Sequence, residues 1–326
     1  LRPTNTVWKN EECSIIDLGD GIINIEFHSK MNTLGEGVLK GLNHGIDLAE
    51  AKYRGVVVSN LGDNFSVGAN LFMVTMMIGQ GAWDQLEMAT KYFQDTVMRL
   101  RYSDIPVVLA PHQFTFGGAC EMSMHADVTI PHAETYMGLV EVGVGVLPGG
   151  AGTKEFALRM SDRYRKGDVD TNILLEALMT IGTAKVATSA QEAFNLGYLL
   201  KHKDKVAVNR ERQLADAKRI ALLMAEQGYT RPVARKDIRV LGRVGLGMVE
   251  AGVYNMQFAG YASEHDRLIT SKIGYVLCGG DVSEAAEVSE QYLLDIEREA
   301  FLFLCGTEKT QARITHMLST GKPLRN

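Results

Sequence analysis

Pro106-Val107-Val108-Leu109-Ala110, then Phe116-Gly117-Gly118-Ala119-Cys120-Glu121, then Asp127-Val128-Thr129-Ile130 stand in close succession. The first and last are short apolar runs, the pattern of strands buried on both faces, as parallel strands are. Between them Gly117-Gly118 opens a helix running to about His125. Upstream, Gly55-Val56-Val57-Val58-Ser59 repeats the buried-strand pattern. It follows a helical stripe of Leu34, Val38, Leu42, Ile46 and Ala49 that extends to about Tyr53. Strands alternating with helices predict an α/β core.

Further outward, residues 13–28 read as a hairpin. Ser14–Leu18 and Ile22–Phe27 flank the turn-forming triplet Gly19-Asp20-Gly21. A second helix is expected over about Ala82–Arg101. After about residue 151 no further strand is predicted. Ser189-Ala190-Gln191-Glu192 reads as a capping box opening a short helix closed by Gly197. Val206–Gln227 reads as a charged surface helix and Gly228–Arg243 as a basic, irregular connection. Val288–Cys305 and Glu308–Thr320 are two amphipathic helices. The expected division is an α/β core over residues 1–200 and a helical C-terminal part over 201–326.

The chain has 326 residues, and 34 Lys+Arg against 39 Asp+Glu give a formal net charge of −5. With the basic residues scattered, this argues against a nucleic-acid surface. Disorder, collagen and coiled coil do not fit the composition. The apolar run Leu71–Ile78 is too short for the ~20 residues of a membrane helix. Four cysteines (Cys13, Cys120, Cys278, Cys305) lie far apart without a Cys-x-x-Cys pair. That suits a reducing, cytoplasmic setting and argues against structural zinc, so no metal is expected. The sequence starts at Leu1 with no basic-then-apolar signal segment. The expectation is a processed end or a module of a longer polypeptide.

Three segments carry the pattern of a reaction site. Asn64-Phe65-Ser66-Val67-Gly68-Ala69-Asn70 is a small-residue loop after a strand, where backbone N–H groups stay free. Gly117-Gly118 stands at a helix N-terminus, whose first N–H groups are unpaired and whose dipole favours negative charge. Two such donors would make an oxyanion hole. Glu121, one turn inside that helix, and Glu141, between Val140 and Val142, sit in small or apolar surroundings. Such surroundings raise a carboxyl's proton affinity, and a pair facing one point does general acid–base work. Solvated or ion-paired glutamates, and glycines kept for tight packing, are the alternatives on the residues alone.

As a set these motifs resemble the crotonase (enoyl-CoA hydratase/isomerase) superfamily over about residues 14–200. The resemblance rests on the hairpin, Ser66-Val67-Gly68-Ala69-Asn70, Gly117-Gly118-Ala119-Cys120-Glu121, the step to Glu141 and the turn Pro148-Gly149-Gly150-Ala151-Gly152-Thr153. Ser189–Leu200 is similar to a further family element, with Tyr198 in place of Leu. The resemblance implies a crotonase-like ββα spiral core. It also implies that Ala69 and Gly118 are the backbone donors to the thioester oxygen. Glu121 and Glu141 would be the acids that hold a water, the first helping to activate it and the second delivering a proton to Cα. Ser66, Gly68, Ala69, Gly117, Gly118, Pro148 and Gly149 would line the substrate.

The implied reaction is hydration of a trans-2-enoyl-CoA to the 3-hydroxyacyl-CoA in fatty-acid β-oxidation. Alternatives are Δ3-Δ2-enoyl-CoA isomerisation and a non-catalytic assembly module. The C-terminal stretch resembles bacterial fusion proteins in which an NAD-dependent 3-hydroxyacyl-CoA dehydrogenase precedes the hydratase. A homo-oligomer, trimer or hexamer, is expected, with no cofactor in this chain. Two departures bear on CoA-phosphate contacts. Ala69-Asn70-Leu71-Phe72 replaces the usual Ala-Asp-(Ile/Leu)-Lys, and His112-Gln113 replaces a common Asn-Gly.

Other candidates read as structural. His112 and His125 are expected at a strand end and on a packed helix, and Cys120 lacks a paired histidine. Gly143-x-Gly145 and Gly245-x-Gly247 lack the third glycine and the βαβ setting of a dinucleotide fingerprint, so no NAD site is expected. Met73, Met76 and Met77 read either as core filling or as a flexible apolar wall. Residues Gly228–Ser283 exceed the usual family length and have no assigned role.

Overall fold

The computed structural model describes residues 5–326, which form two compact units. The first comprises the chain up to Asn70, Asp95–Gly138 and Val186–Val233. Its sheet has six strands in the order β1-β2-β3-β4-β5-β7. These are β1 (Thr6–Lys9), β2 (Cys13–Asp17), β3 (Ile22–Phe27), β4 (Gly55–Val58), β5 (Val107–Leu109) and β7 (Val128–Thr129). β2 and β3 form the expected antiparallel hairpin, with Ile15 opposite Ile25. Its turn places Gly19, Asp20 and Gly21 all at positive φ, and Asp17 Oδ1 accepts the Gly19 N–H at 2.7 Å. From β3 onward the pairing is parallel, and β3, β4 and β5 are buried along their whole length. The helix Glu36–Lys52 returns the chain to β4, as the apolar stripe predicts. β6 (Phe114–Phe116) and β8 (Tyr136–Gly138) form a separate parallel pair.

The expected boundary at residue 200 lies inside this unit. The charged stretch forms the helix Gln213–Glu226, which is amphipathic rather than wholly superficial. Ala217 and Ala221 pack into the cluster of Ile22, Val57 and Val108. Gln213 is buried and donates to the carbonyls of Pro111 and Ile130, both at 2.7 Å. The cap at Ser189 differs from the expected box. Ser189 Oγ accepts the Glu192 N–H, but the Glu192 carboxylate turns to the backbone and hydroxyl of Thr188.

The second unit comprises Leu71–Gln94, Leu139–Lys185 and Ala234–Asn326 and is mainly helical. Leu71–Ile78, recognised in sequence only as an apolar run, belongs to the helix Leu71–Gly79. The absence of strands after residue 151 is overturned. β9 (Ile238–Val240) and β10 (Ala286–Val288) form an antiparallel pair. The unassigned segment 228–283 contains the helices Gly242–Phe258 and Glu264–Leu277. A Cβ at Gly274 would lie 2.4 Å from Val249 Cγ1, so these two helices meet at a glycine. Gly245 likewise faces Cys278 and Leu241, so packing accounts for the first glycine of the Gly245-x-Gly247 pair, while a Cβ at Gly247 would meet open space. The C-terminal helices run Glu290–Cys305 and Glu308–Thr320. No helix among the described residues is long and apolar enough to cross a membrane.

Candidate active site

In the first unit, two backbone segments lie side by side. Ser66 N–H donates to Phe114 O, and Phe116 N–H donates to Ser66 O. The loop then turns at Gly68, whose φ is +96° and where a Cβ would lie 2.9 Å from Phe116 O. Only glycine fits this approach. The buried Ser66 hydroxyl accepts the Gly68 N–H at 3.1 Å, and Leu34 N–H donates to Gly68 O. Gly117 has φ 53° and ψ −124°, a conformation that bars side chains, and its N–H donates to Gly138 O. Gly118 then begins the helix Gly118–His125. Among the described residues, the N–H groups of Ala69 and Gly118 have no protein acceptor. Ala69 and Gly118, the residues expected to donate, thus carry free N–H groups on neighbouring segments.

Glu121 sits in the first turn of that helix, whose eight residues are all buried. His125 Nδ1 lies 2.7 Å from Glu121 O and therefore carries the proton it donates there. His112 Nε2 is 2.7 Å from Gly62 O, and its ring meets Phe65 edge-on. Burial pushes His112 down to about 4, which keeps it neutral. Cys120 is buried.

Glu141, Pro148 and Gly149 belong to the second unit. Glu141 begins the 3-10 turn Glu141–Val144. The residue keeps partial exposure, but its Oε2 is enclosed and has no hydrogen-bond partner. Burial raises its carboxyl well above the ordinary carboxylate range, and the carboxylate of Glu297 raises it further. Glu297 is itself fully buried. It accepts the Ala151 N–H and the Lys154 N–H, both at 2.7 Å, and Gln94 Nε2 at 3.0 Å. Pro148 O accepts the Thr153 hydroxyl at 2.9 Å. Gly149 packs on Phe301, where a Cβ would lie 2.7 Å from the ring, so tight packing explains this glycine.

Sequence reasoning missed Glu297, and also Thr310 and Arg313, which bind the turn carrying Glu141. A signal for Glu297 existed. It falls on the apolar stripe Leu293, Ala300 and Leu304 of its helix, where a charge is out of pattern. The core-filling reading of Met73 and Met76 does not hold. No residue of the helix Leu71–Gly79 is buried, and these two methionines are exposed.

Residues 17–163 match the family described as Enoyl-CoA hydratase/isomerase. A Bacillus subtilis (strain 168) protein described as a probable 3-hydroxyacyl-CoA dehydrogenase is 43% identical over 320 residues, covering 98% of this chain and 40% of that protein. A putative fatty acid oxidation complex trifunctional enzyme of Rickettsia prowazekii is 24% identical over 310 residues, covering 95% of this chain and 39% of its own length. The chain thus spans about two fifths of the length of these relatives. Among solved structures, an enoyl-CoA hydratase from Bacillus halodurans superposes with a TM-score of 0.62 at 14% identity, covering 93% of this chain and 99% of that one. A putative enoyl-CoA hydratase from Streptomyces avermitilis gives 0.61 at 18% identity, covering 96% and 93%. Such identities establish the fold. The chain therefore has the fold of these hydratase structures, and its residues 17–163 are similar to the enoyl-CoA hydratase/isomerase family.

Proposed function

We propose that this chain hydrates trans-2-enoyl-CoA thioesters, adding water to Cβ and a proton to Cα to give 3-hydroxyacyl-CoA. The observation that carries the reading is the pair of free N–H groups at Ala69 and Gly118 on adjoining segments. Donors of this kind polarise a thioester carbonyl, make Cβ electrophilic and stabilise the enolate oxygen. Each is typically worth ~3–4 kcal/mol. Glu121 is assigned to activating the water and Glu141 to delivering the proton. The raised carboxyl of Glu141 suits that second role, because it stays protonated at neutral pH. Ser66, Gly68 and Gly117 shape the donor loops, and Pro148 and Gly149 the turn after Glu141.

The finer setting is part of the same proposal. The chain acts in fatty-acid β-oxidation in the cytoplasm as a homo-oligomer. It is joined to an NAD-dependent dehydrogenase that oxidises the new C3 hydroxyl to a ketone while reducing NAD. The names of the curated relatives support this arrangement. Gly118→Pro tests the donor role, since proline has no N–H. With circular dichroism showing a folded protein, kcat on crotonyl-CoA should fall on the order of 10²-fold or more. A normal kcat in that folded variant contradicts the assignment. A 3-enoyl-CoA substrate distinguishes isomerisation from hydration.

A further inference from the structure

The turn that carries Glu141 is held by residues far outside the stretch 17–163 that is similar to the hydratase/isomerase family. Arg313 Nη1 donates to Val142 O at 3.2 Å, and the Thr310 hydroxyl donates to Gly145 O at 2.6 Å. Both come from the helix Glu308–Thr320, and both are buried. Gly145 closes the turn at φ +91°, where a Cβ would lie 2.8 Å from Thr310 Cα. Helix and turn therefore meet backbone to backbone.

The two side chains are themselves fixed. The one Thr310 hydroxyl proton goes to Gly145 O, so the His265 Nε2 at 2.9 Å must donate to that hydroxyl. Burial, with Arg313 and Lys309 adding to it, pushes His265 down to about 4, so the ring is neutral at neutral pH. Arg313 also pairs with Asp266 at 2.8 Å and donates to Ser263 Oγ and Asn326 Oδ1. The charged or titratable groups on the elements around the turn include Glu297, Lys154, Glu264, Asp266, His265, Arg267, Lys309, Arg313 and Arg325.

A 3-10 turn of four residues has few hydrogen bonds of its own and weak geometry. Its orientation must come from what grips it. We propose that Thr310 and Arg313 are positioning residues for Glu141, clamping the Glu141–Gly145 turn through the carbonyls of Val142 and Gly145. The proposal rests on the catalytic reading of Glu141 and adds the C-terminal helix to the machinery.

The test compares Thr310→Val, Thr310→Ser and Arg313→Lys with Glu141→Gln and the unaltered protein on crotonyl-CoA, over pH. Loss of the hydroxyl in Thr310→Val should lower kcat on the order of 10-fold or more, with KM within about twofold, because small misplacements of a reacting group are costly. It should also shift the alkaline limb of the kcat profile, which reports Glu141. Thr310→Ser keeps the hydroxyl and should restore both. Arg313→Lys, which retains the charge beside Asp266, should act in the same direction as Thr310→Val and carries the comparison if that variant does not fold. Unchanged kcat and an unchanged alkaline limb in the folded variants, with Glu141→Gln inactive, overturn the clamp alone. Wild-type hydration by Glu141→Gln overturns the catalytic reading and the clamp with it.

Discussion

In the first unit, β3, β4 and β5 are buried along their length and satisfy one another's backbone groups through parallel pairing. Its interior is largely Ile, Val, Leu and Ala. The second unit buries Lys154, Glu155, Arg159, Glu290, Glu297 and Arg313. The Lys154 ammonium lies 3.0 Å from Glu290 and 3.3 Å from Glu155, which also pairs with Arg159. A sheet consumes its own polar groups, whereas helix ends and turns leave theirs open. The helix Gly152–Ser161 shows the consequence. Its N-cap residue, Ala151, has no capping oxygen, and the carboxylate of Glu297 accepts the N–H groups of Ala151 and Lys154 instead. A negative charge there also suits the helix dipole. At this helix a long-range ionic side chain thus does what backbone pairing does along β3 and β4.

The sharpest way to break this comparison is Glu141→Gln. It should lower hydration by about 10²–10⁴-fold while leaving acyl-CoA binding measurable by calorimetry. Next is Lys154→Met, which leaves Glu290 and Glu155 buried without their cation. A loss of about 3–5 kcal/mol is expected in denaturant unfolding. An equally stable variant would show that the buried charges are dispensable. By contrast, Ile23→Val on buried β3 should cost only about 0.5–1.5 kcal/mol. The exposed pair Arg163–Glu176 marks the low end. Glu176→Gln should change stability by less than about 1 kcal/mol.

The pH dependence sharpens the same contrast. Burial disfavours the charged form of Glu141, so its carboxyl stays protonated at neutral pH, and the proton donor is lost as pH rises through the raised value. Hydration should therefore fall on the alkaline side. Glu297→Gln removes a neighbouring negative charge and lowers the Glu141 value, so the alkaline limb should move to lower pH. A limb that stays in place means the two carboxyls do not communicate.

Much of the first unit was legible because its signals are local. The Gly19-Asp20-Gly21 triplet sets the hairpin, and the apolar runs at Val56–Val58 and Val107–Leu109 mark parallel strands. Gly68 and Gly117 mark the turns before Ala69 and Gly118 because their backbone conformations need glycine. The second unit was harder to read. Leu71–Gly79 is apolar on every side, so no period marks it as a helix. β9 and β10 are three residues each and find each other across more than forty residues of chain. The clamp of Thr310 and Arg313 depends on contacts at sequence separations of 165 and 171, beyond any local pattern. The family resemblance singled out Glu141 but not what grips it.

The most direct test of the account adds the purified protein to crotonyl-CoA and follows loss of the conjugated enoyl thioester absorbance, with mass spectrometry of the product. The account predicts conversion to the 3-hydroxyacyl-CoA, with the mass gain of one water, and loss of this conversion in both Glu121→Gln and Glu141→Gln. Crotonyl-CoA that binds but stays unhydrated, or hydration that survives in either glutamine variant, would contradict it.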